Sequence, residues 1–404
     1  MGIAARVNDS IRTLTPGYFA LVMASGIVSV ALQQRGWMAI SYVLFAIAGL
    51  AYIVLVALSI VRFIRYRAEM AADFQAPMRA FGFFTFVAGT NVLGTRAAGE
   101  GWMELTAVLL GVAAAAWLVM GYVIPWSAVV GRSERPVVAL ANGTWFIWVV
   151  ASQSVAVSAG ALANHYTGAR QALAVLAVMA WSVGVFLYAA SAIIVSLRIM
   201  LYQFEPEDLN PPYWVSMGAI AITVVAGARI VDMESAPMVD ATRALIAGLS
   251  VVFWAFATWL IPVLIFAGLW RHWIRRVPLR YEATLWSIVF PLGMYSVASM
   301  WLGEADSLPI VGGIGANWLW VAVTAWVLTF VAMSRNVWRI LTGRTKPPAP
   351  AAAPPEADDS DGAAQPPETD ESAGMKEPAG PEEPAGTKDP AEPEGASVPQ
   401  SAPK

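Results

Sequence analysis

The stretch MAISYVLFAIAGLAYIVLVALSIVRF occupies residues 38–63, and its first charged residue is Arg62. An α-helix rises about 1.5 Å per residue, so an apolar run of this length spans the hydrocarbon core of a bilayer, which is about 30 Å thick. Residues 170–196 form a second run of this kind, with no charge after Arg170. The sequence therefore predicts membrane-spanning helices rather than a water-soluble core.

Composition extends this prediction to most of the chain. Of the 404 residues, 58% are hydrophobic and 13% are charged, whereas soluble domains have roughly 25% charged residues. The apolar runs lack the alternation of barrel strands, and in lipid every backbone group must be paired within its own span. We predict an all-α polytopic membrane protein with ten transmembrane helices. The predicted spans are residues 15–34, 38–63, 78–98, 102–125, 138–161, 170–196, 212–232, 243–270, 281–303 and 315–341.

Arginine is concentrated in alternate loops. The loops after even-numbered spans, the N-terminal segment and the end of the tenth span contain most arginines of the membrane body. Short loops rich in Lys and Arg stay on the cytoplasmic side of a membrane. The pattern predicts a multi-pass protein of the plasma membrane with both termini in the cytoplasm.

Composition also divides the chain into three parts. Residues 1–14 form a short cytoplasmic segment, and residues 15–344 form the ten-helix transmembrane domain. Residues 345–404 are rich in Pro, Ala, Glu, Gly and Asp and have no aromatic residue. A segment of this kind buries too little apolar surface to offset its ordering entropy, so we predict a disordered acidic tail. A solubilising role for the tail is favoured over a regulatory or partner-binding role.

Residue counts exclude several site chemistries. The chain has no cysteine, which removes disulfides, iron–sulfur clusters and thiolate metal sites. Its two histidines, His165 and His272, fall in predicted loops, so a haem held between helices is not expected. No Asp-x-x-x-Asp pattern occurs in the membrane body. We expect no metal, no cofactor and no nucleic-acid partner, and we favour a non-enzymatic protein over a membrane enzyme or a structural scaffold.

The odd-numbered spans share an order of residue types. Each opens with aromatic residues and continues into small or polar ones, as in Phe83-Phe84 followed by Ala88-Gly-Thr-Asn91. This pattern favours five helical hairpins, with the odd helices inside and the even helices facing lipid. The alternative is that the small residues only let helices pack closely. The small and polar candidates for lining a path are Gly26, Gly89, Asn91, Ser152, Gly218 and Gly293.

No carboxylate lies near the middle of an odd-numbered span. A charge inside a bilayer costs about 2.5–3.5 kcal/mol, and proton relays and cation pathways retain buried acids in spite of that cost. A path lined by hydroxyls, amides and glycine backbone favours an anion or a neutral polar solute. Arg96 and Arg229, near the ends of the third and seventh spans, are candidates for attracting an anion. The alternative is that both arginines snorkel to the interface.

Three motifs carry a family resemblance. They are LTPGYFALVMASGI at residues 14–27, PPYWVSMGAIAI at residues 211–222 and WSIVFPLGMY at residues 286–295. Together with ten spans in five hairpins, these motifs resemble the tellurite-resistance/dicarboxylate transporter family. That family includes bacterial tellurite-resistance proteins, yeast malate and sulfite permeases and plant guard-cell slow anion channels. The resemblance covers residues 12–341 and leaves out the tail.

The resemblance implies a quasi-five-fold ring of hairpins around a central pore, plugged midway by a phenylalanine on the ninth span. The matching residue is Phe290, and Pro291 follows it. A proline removes a backbone donor and kinks a helix, and an apolar ring in a narrow pore excludes water. The resemblance also implies a homotrimer. Counting four residues on from each opening aromatic predicts an apolar collar of Val22, Val87, Val149, Met217 and Phe290.

The leading hypothesis is passive or gated movement of small anions through a pore within one chain. The candidate anions are chloride, nitrate, sulfite and C4-dicarboxylates such as malate. The alternative is a proton-coupled secondary carrier for a dicarboxylate or for a toxic oxyanion such as tellurite or sulfite. The sequence favours the first hypothesis, because no buried acid or histidine is available to carry the proton.

Overall fold

The computed structural model describes residues 3–131, 136–305 and 307–342, and within these residues the fold is all-α with no β-strand. The predicted acidic tail, residues 345–404, lies outside the described residues. The helices of the described part are α1 (Ile3–Arg12), α2 (Ala20–Gln34), α3 (Met38–Arg65), α4 (Arg67–Gln75), α5 (Pro77–Ala80), α6 (Phe84–Ala98), α7 (Met103–Pro125), α8 (Phe146–Ala163), α9 (Arg170–Leu201), α10 (Val215–Val231), α11 (Pro237–Leu269), α12 (Trp286–Ala305) and α13 (Pro309–Thr342).

A short 3-10 turn precedes each of α2, α6, α8, α10 and α12. Local capping explains two of these turns, since Thr15 Oγ1 accepts the Gly17 N–H at 3.2 Å and Asn142 Oδ1 accepts the Thr144 N–H at 2.9 Å. Proline suits the first position of such a turn, where no N–H is needed, and Pro211 occupies one. We call these segments the entry turns: Pro16–Phe19, Phe81–Phe83, Gly143–Trp145, Pro211–Trp214 and Ala283–Leu285.

Nine helices of the described part are long and apolar enough to cross a membrane, by length and composition. They are α2, α3 and α7 to α13, in several cases extended by an adjoining turn. The remaining predicted span, residues 78–98, is divided between α5, an entry turn and α6, which has only 15 residues. The described structure therefore bears out an all-helical membrane protein with nine such helices.

The nine helices fall into two groups by burial. The apolar windows of α2, α8, α10 and α12 are between 72% and 89% buried inside the protein, whereas those of α3, α7, α9, α11 and α13 are between 17% and 33% buried. Most residues of α6 are also buried. The odd-numbered predicted spans are therefore the interior helices, and the even-numbered spans present apolar side chains outward.

Contacts between helices follow a regular order. Each interior helix packs against the helix that follows it, in the pairs α2–α3, α6–α7, α8–α9, α10–α11 and α12–α13. The interior helices also contact one another, in the pairs α2–α6, α6–α8, α8–α10, α10–α12 and α12–α2. Each interior helix thus has two interior neighbours, packs most extensively against the outer helix that follows it, and touches a second outer helix less extensively.

Candidate functional site

A narrow cavity lies between the five interior helices. Its volume is about 10 Å³, which is near the lower limit for holding one water molecule. Every interior helix contributes to its wall, so the cavity follows from the order of helix contacts rather than from one motif. The lining residues are Ile27, Val30, Asn91, Val92, Thr95, Ser154, Val157, Ile222, Val225, Met294, Val297 and Trp301.

The wall is mainly apolar, with one hydrogen-bonded polar pair. Asn91 Nδ2 donates to Ser154 Oγ at 2.9 Å, and Ser154 Oγ donates to the Ala151 carbonyl at 2.7 Å. The Asn91 Oδ1 atom is buried and has no hydrogen-bond partner among the described residues. No charged side chain is among the described residues that line the cavity. The wall can therefore solvate an ion weakly, without a fixed counter-charge.

Phe290 lies one helical turn from the cavity on α12. Because an α-helix turns once in about 3.6 residues, Phe290 shares a face with Met294, Val297 and Trp301, and these last three line the cavity. The Phe290 side chain is 1% exposed. Pro291 lies inside the helix, where its missing N–H leaves one carbonyl of the preceding turn without a helical donor. The ring is thus buried at the end of the cavity nearest the entry turns.

A second cavity, of about 330 Å³, lies at the other end of the narrow one, and we call it the Arg229 cavity. Trp301 lines both cavities. The Arg229 guanidinium carbon lies 3.9 Å from the centroid of the Trp301 ring, which is the geometry of a cation–π contact. The lining residues are Ala228, Arg229, Asp232, Trp301, Glu304 and Ala305.

Comparison with known proteins identifies the family of this chain. Residues 13–334 match the family model described as SLAC1, voltage-dependent anion channel. The chain belongs to the SLAC1 family. This finding confirms the resemblance carried by the three sequence motifs.

Several relatives of this SLAC1-family chain are similar over different lengths. An uncharacterized membrane protein of Mycobacterium tuberculosis is 60% identical over 152 residues, which are 38% of this chain and 77% of the relative. An uncharacterized transporter of Methanocaldococcus jannaschii is 24% identical over 82% of this chain and 95% of its own length. The sulfite efflux pump SSU1 of Arthroderma benhamiae is 21% identical over 81% of this chain and 93% of its own length.

The glycines predicted to line a path face neighbouring helices. A Cβ added to Gly26 would lie 2.6 Å from Val92 Cγ1, and one added to Gly218 would lie 2.8 Å from Pro291 Cγ. Gly89 faces α2 and Gly293 faces α2 in the same way. In this SLAC1-family chain the four glycines allow interior helices to approach closely, which fits the packing alternative. None of the four is among the residues that line the narrow cavity.

Of the other predicted lining residues, only Asn91 is in the cavity wall. Ser152 faces the outer helix α7, where its Oγ accepts the Trp117 indole N–H at 2.8 Å. Val22 packs with Ala48 and Leu55 of α3 in a small cluster apart from the main core. The other collar residues, Val87, Val149, Met217 and Phe290, are buried in the main core.

Arg96 does not face the cavity. It is fully buried between α2, α3 and α6, where its Nη1 pairs with Glu100 Oε1 at 2.7 Å and its Nε donates to Ser29 Oγ at 2.9 Å. Its guanidinium also lies 4.9 Å from the Phe45 ring centroid. Because Glu100 compensates its charge, the predicted role of attracting anions does not fit this placement. Arg96 instead joins three helices.

The sequence reasoning missed eleven of the twelve residues that line the narrow cavity, all but Asn91, and Trp301 is one of the eleven. A signal for it was present, because residues 290, 294, 297 and 301 recur at the spacing of one helix face. The motif that carries the family resemblance ends at Tyr295, and Trp301 lies beyond it on the same face of α12. The same face leads to the end of the path where Arg229 lies.

Proposed function

We propose that this chain moves small anions across the plasma membrane through the narrow cavity. In this proposal ten helices span the bilayer, α6 included, and both termini lie in the cytoplasm. The five hairpins form a quasi-five-fold ring, and the interior helices wall the pore. Residues 15–344 form the transport domain, between the cytoplasmic segments 1–14 and 345–404.

The narrow cavity is the observation that carries this proposal. It is walled by all five interior helices and is mainly apolar, with amide and hydroxyl groups and no charged lining among the described residues. Conduction requires sites that an ion can enter and leave, and weak polar groups meet that requirement. The lack of a lining carboxylate spares an anion the repulsion that it would meet in a cation pathway.

We infer that Phe290 is the gate of this path. The ring is buried on the same α12 face as the lining residues Met294 and Val297. An apolar ring in a narrow passage removes water, and an ion then meets a dewetted barrier. Pro291 weakens the helical hydrogen bonding beside the ring, so a small local bend of α12 can move Phe290 aside.

Size favours inorganic anions within the proposed substrate class. A volume of about 10 Å³ accommodates about one water molecule. Chloride, nitrate or hydrogensulfite would need less widening of the path than a C4-dicarboxylate such as malate. The relative from Arthroderma benhamiae, which is named as a sulfite efflux pump, supports sulfite as a candidate.

The proposal is tested by anion efflux from proteoliposomes that contain the wild-type chain or Phe290→Ala. Removing the ring should raise the initial nitrate efflux about tenfold, which corresponds to lowering the barrier by about 1.4 kcal/mol. The matched control is Phe186→Ala, because Phe186 lies on the outer helix α9 and is 79% exposed. This control should behave as the wild type. Absence of anion flux from all three proteins would refute the proposal.

The second candidate is a proton-coupled carrier for sulfite, tellurite or a dicarboxylate. The name of the relative from Arthroderma benhamiae, sulfite efflux pump, favours this candidate. The narrow cavity offers no titratable side chain among its described lining residues, which favours the uncoupled path. An imposed pH step distinguishes the two, since only a coupled carrier changes its initial uptake rate when the proton gradient changes at constant membrane potential.

We further propose a homotrimer in the membrane, by likeness to the family. Each protomer would keep its own path, because all the lining residues come from one chain. The mass of the protein in native mass spectrometry from detergent tests this assembly, and a monomeric mass with full transport activity would contradict it.

A further inference from the structure

Trp301 lies where the two cavities meet. It lines the narrow cavity on one side and the Arg229 cavity on the other. Phe290, Met294, Val297 and Trp301 follow one another on a single face of α12. The indole ring is therefore at the end of the path opposite Phe290, and an ion that travels the path has to pass it.

The guanidinium of Arg229 holds this ring. The distance of 3.9 Å from Arg229 Cζ to the Trp301 ring centroid is well inside the limit of about 6 Å for a cation–π contact. The base of the Arg229 side chain lies close to α8, because a Cβ added to Gly160 would lie 3.0 Å from Arg229 Cβ. Arg229 therefore contacts α12 through its guanidinium and lies close to α8 at its base.

Arg229 also has an unused hydrogen-bond donor. Its Nε atom is buried and has no partner among the described residues. Asp232 and Glu304 line the same cavity, yet no ion pair joins either of them to Arg229 within 4.0 Å in the described structure. A buried N–H without an acceptor is costly, so a ligand that accepts from it gains affinity.

We propose that Arg229 and Trp301 form a second closure of the path, which opens when a small, singly charged oxyanion binds in the Arg229 cavity. An oxyanion accepts two N–H bonds from the edge of a guanidinium, and such bonds are stronger than a cation–π contact. The anion replaces the ring as the partner of Arg229, and Trp301 turns away from the narrow cavity. This inference rests on the proposed anion pathway and adds the site where the anion enters it.

The charges of the Arg229 cavity set its selectivity. One arginine and two carboxylates line it, so the lining has a net charge of about −1 and repels a dianion about twice as strongly as a monoanion. Nitrate and hydrogensulfite are therefore preferred, and dianionic malate is disfavoured. This selectivity agrees with the small volume of the narrow cavity.

Thiol labelling tests the closure directly, because the chain has no native cysteine. Val297→Cys places a thiol in the narrow cavity, one turn from Trp301. In detergent, an anionic methanethiosulfonate reagent should modify this thiol slowly, and adding Trp301→Ala should speed the modification about tenfold as read by mass spectrometry. Trp301→Leu, which keeps more of the packing, should give an intermediate rate. The matched control is Trp259→Ala, since Trp259 is 63% exposed on α11, and it should leave the rate unchanged.

Anion dependence tests the role of Arg229. Nitrate should speed labelling of Val297→Cys several-fold relative to the same concentration of gluconate. This effect of nitrate should vanish when Arg229→Gln is added. The Arg229→Gln change should also raise the labelling rate of the Val297→Cys thiol without nitrate, because the Trp301 ring has lost its cation–π partner. Equal labelling rates with Trp301 and with alanine or leucine in its place would overturn the proposal, as would a nitrate effect that survives Arg229→Gln. Labelling does not depend on flux, so the two proposals can fail separately. Fast labelling of the Trp301 variants together with an absence of flux through Phe290→Ala would support the closure and would count only against the proposed transport.

Discussion

At the scale of single residues, the two arginines near the ends of interior helices, Arg96 and Arg229, have different surroundings. Arg96 is fully buried and paired with Glu100, which lies four residues later in the turn after α6. Arg229 lies on a tryptophan ring and has no ion pair within 4.0 Å among the described residues. Both arginines look alike in the sequence, where each ends an apolar span. The structure therefore assigns Arg96 to stability, and Arg229 is the candidate for contact with an anion.

Replacing Arg96 with glutamine should destabilise the fold and leave anion selectivity unchanged. The variant loses hydrogen bonds to Glu100 and Ser29, and bonds to a charged group contribute about 1.5–3 kcal/mol of folding free energy. Thermal unfolding of the detergent-solubilised protein measures the loss. Arg35→Gln is the control, because Arg35 is exposed near the same end of the bundle. A variant with wild-type stability and altered anion selectivity would contradict this expectation and would support the predicted role of Arg96 in attracting anions.

Sequence reasoning could identify Phe290 but not the partners of polar side chains. Phe290 and Pro291 stand in a motif, and helical periodicity orients them. Ser152 looked like a lining residue, yet its partner Trp117 lies 35 residues earlier on another helix. Such a pairing depends on which faces of α7 and α8 meet, and a local pattern does not contain that information. Glu100, by contrast, was visible four residues after Arg96.

At the scale of elements, the lengths of the apolar runs predicted where the helices lie. The residues at which the helices begin and end were predicted less well from local signals. The predicted span 38–63 agrees closely with α3, Met38–Arg65. The predicted span 243–270 began too late, because α11 starts at Pro237. A proline in the first turn and an acidic Asp240 near the positive end of the helix dipole are ordinary helix-start signals. Both signals lie before residue 243 and so outside the predicted span.

The entry turns give a testable prediction at this scale. A Cβ added to Gly143 would collide with the backbone of Pro212 and Tyr213 in the next entry turn, and backbone cannot move aside as a flexible side chain does. Gly143→Ala should therefore push two turns apart and destabilise the protein by about 1–3 kcal/mol, as overpacking does. The midpoint of thermal unfolding measures the change.

Gly111→Ala is the matched control for the entry turns. Gly111 lies in the outer helix α7 with no atom within 4 Å of an added Cβ, and alanine is the better helix former by about 0.5–1 kcal/mol. This variant should be as stable as the wild type or more so. A Gly143→Ala protein as stable as Gly111→Ala would mean that the turns are not tightly packed.

At the scale of the whole molecule, the path exists because the interior helices contact one another in a closed order. Each interior helix contacts two others, and the entry turns repeat that order, since each turn contacts two other turns. The repeated pattern of odd-numbered spans indicated interior helices, and the buried windows agree with it. The pattern could not give the width of the cavity between them, because width depends on how closely residues such as Gly26 and Gly218 let the helices approach.

The central claim is that anions pass through the narrow cavity between the five interior helices. The most direct test measures anion flux through the double variant Phe290→Ala, Ser154→Cys. The flux is measured before and after an anionic thiol reagent modifies the introduced cysteine. Ser154 lines that cavity, and the single-variant Phe290→Ala is unaffected by the reagent because the chain has no other cysteine. Complete modification should abolish the flux of the double variant. Complete modification, confirmed by mass, with the flux unchanged would contradict the claim.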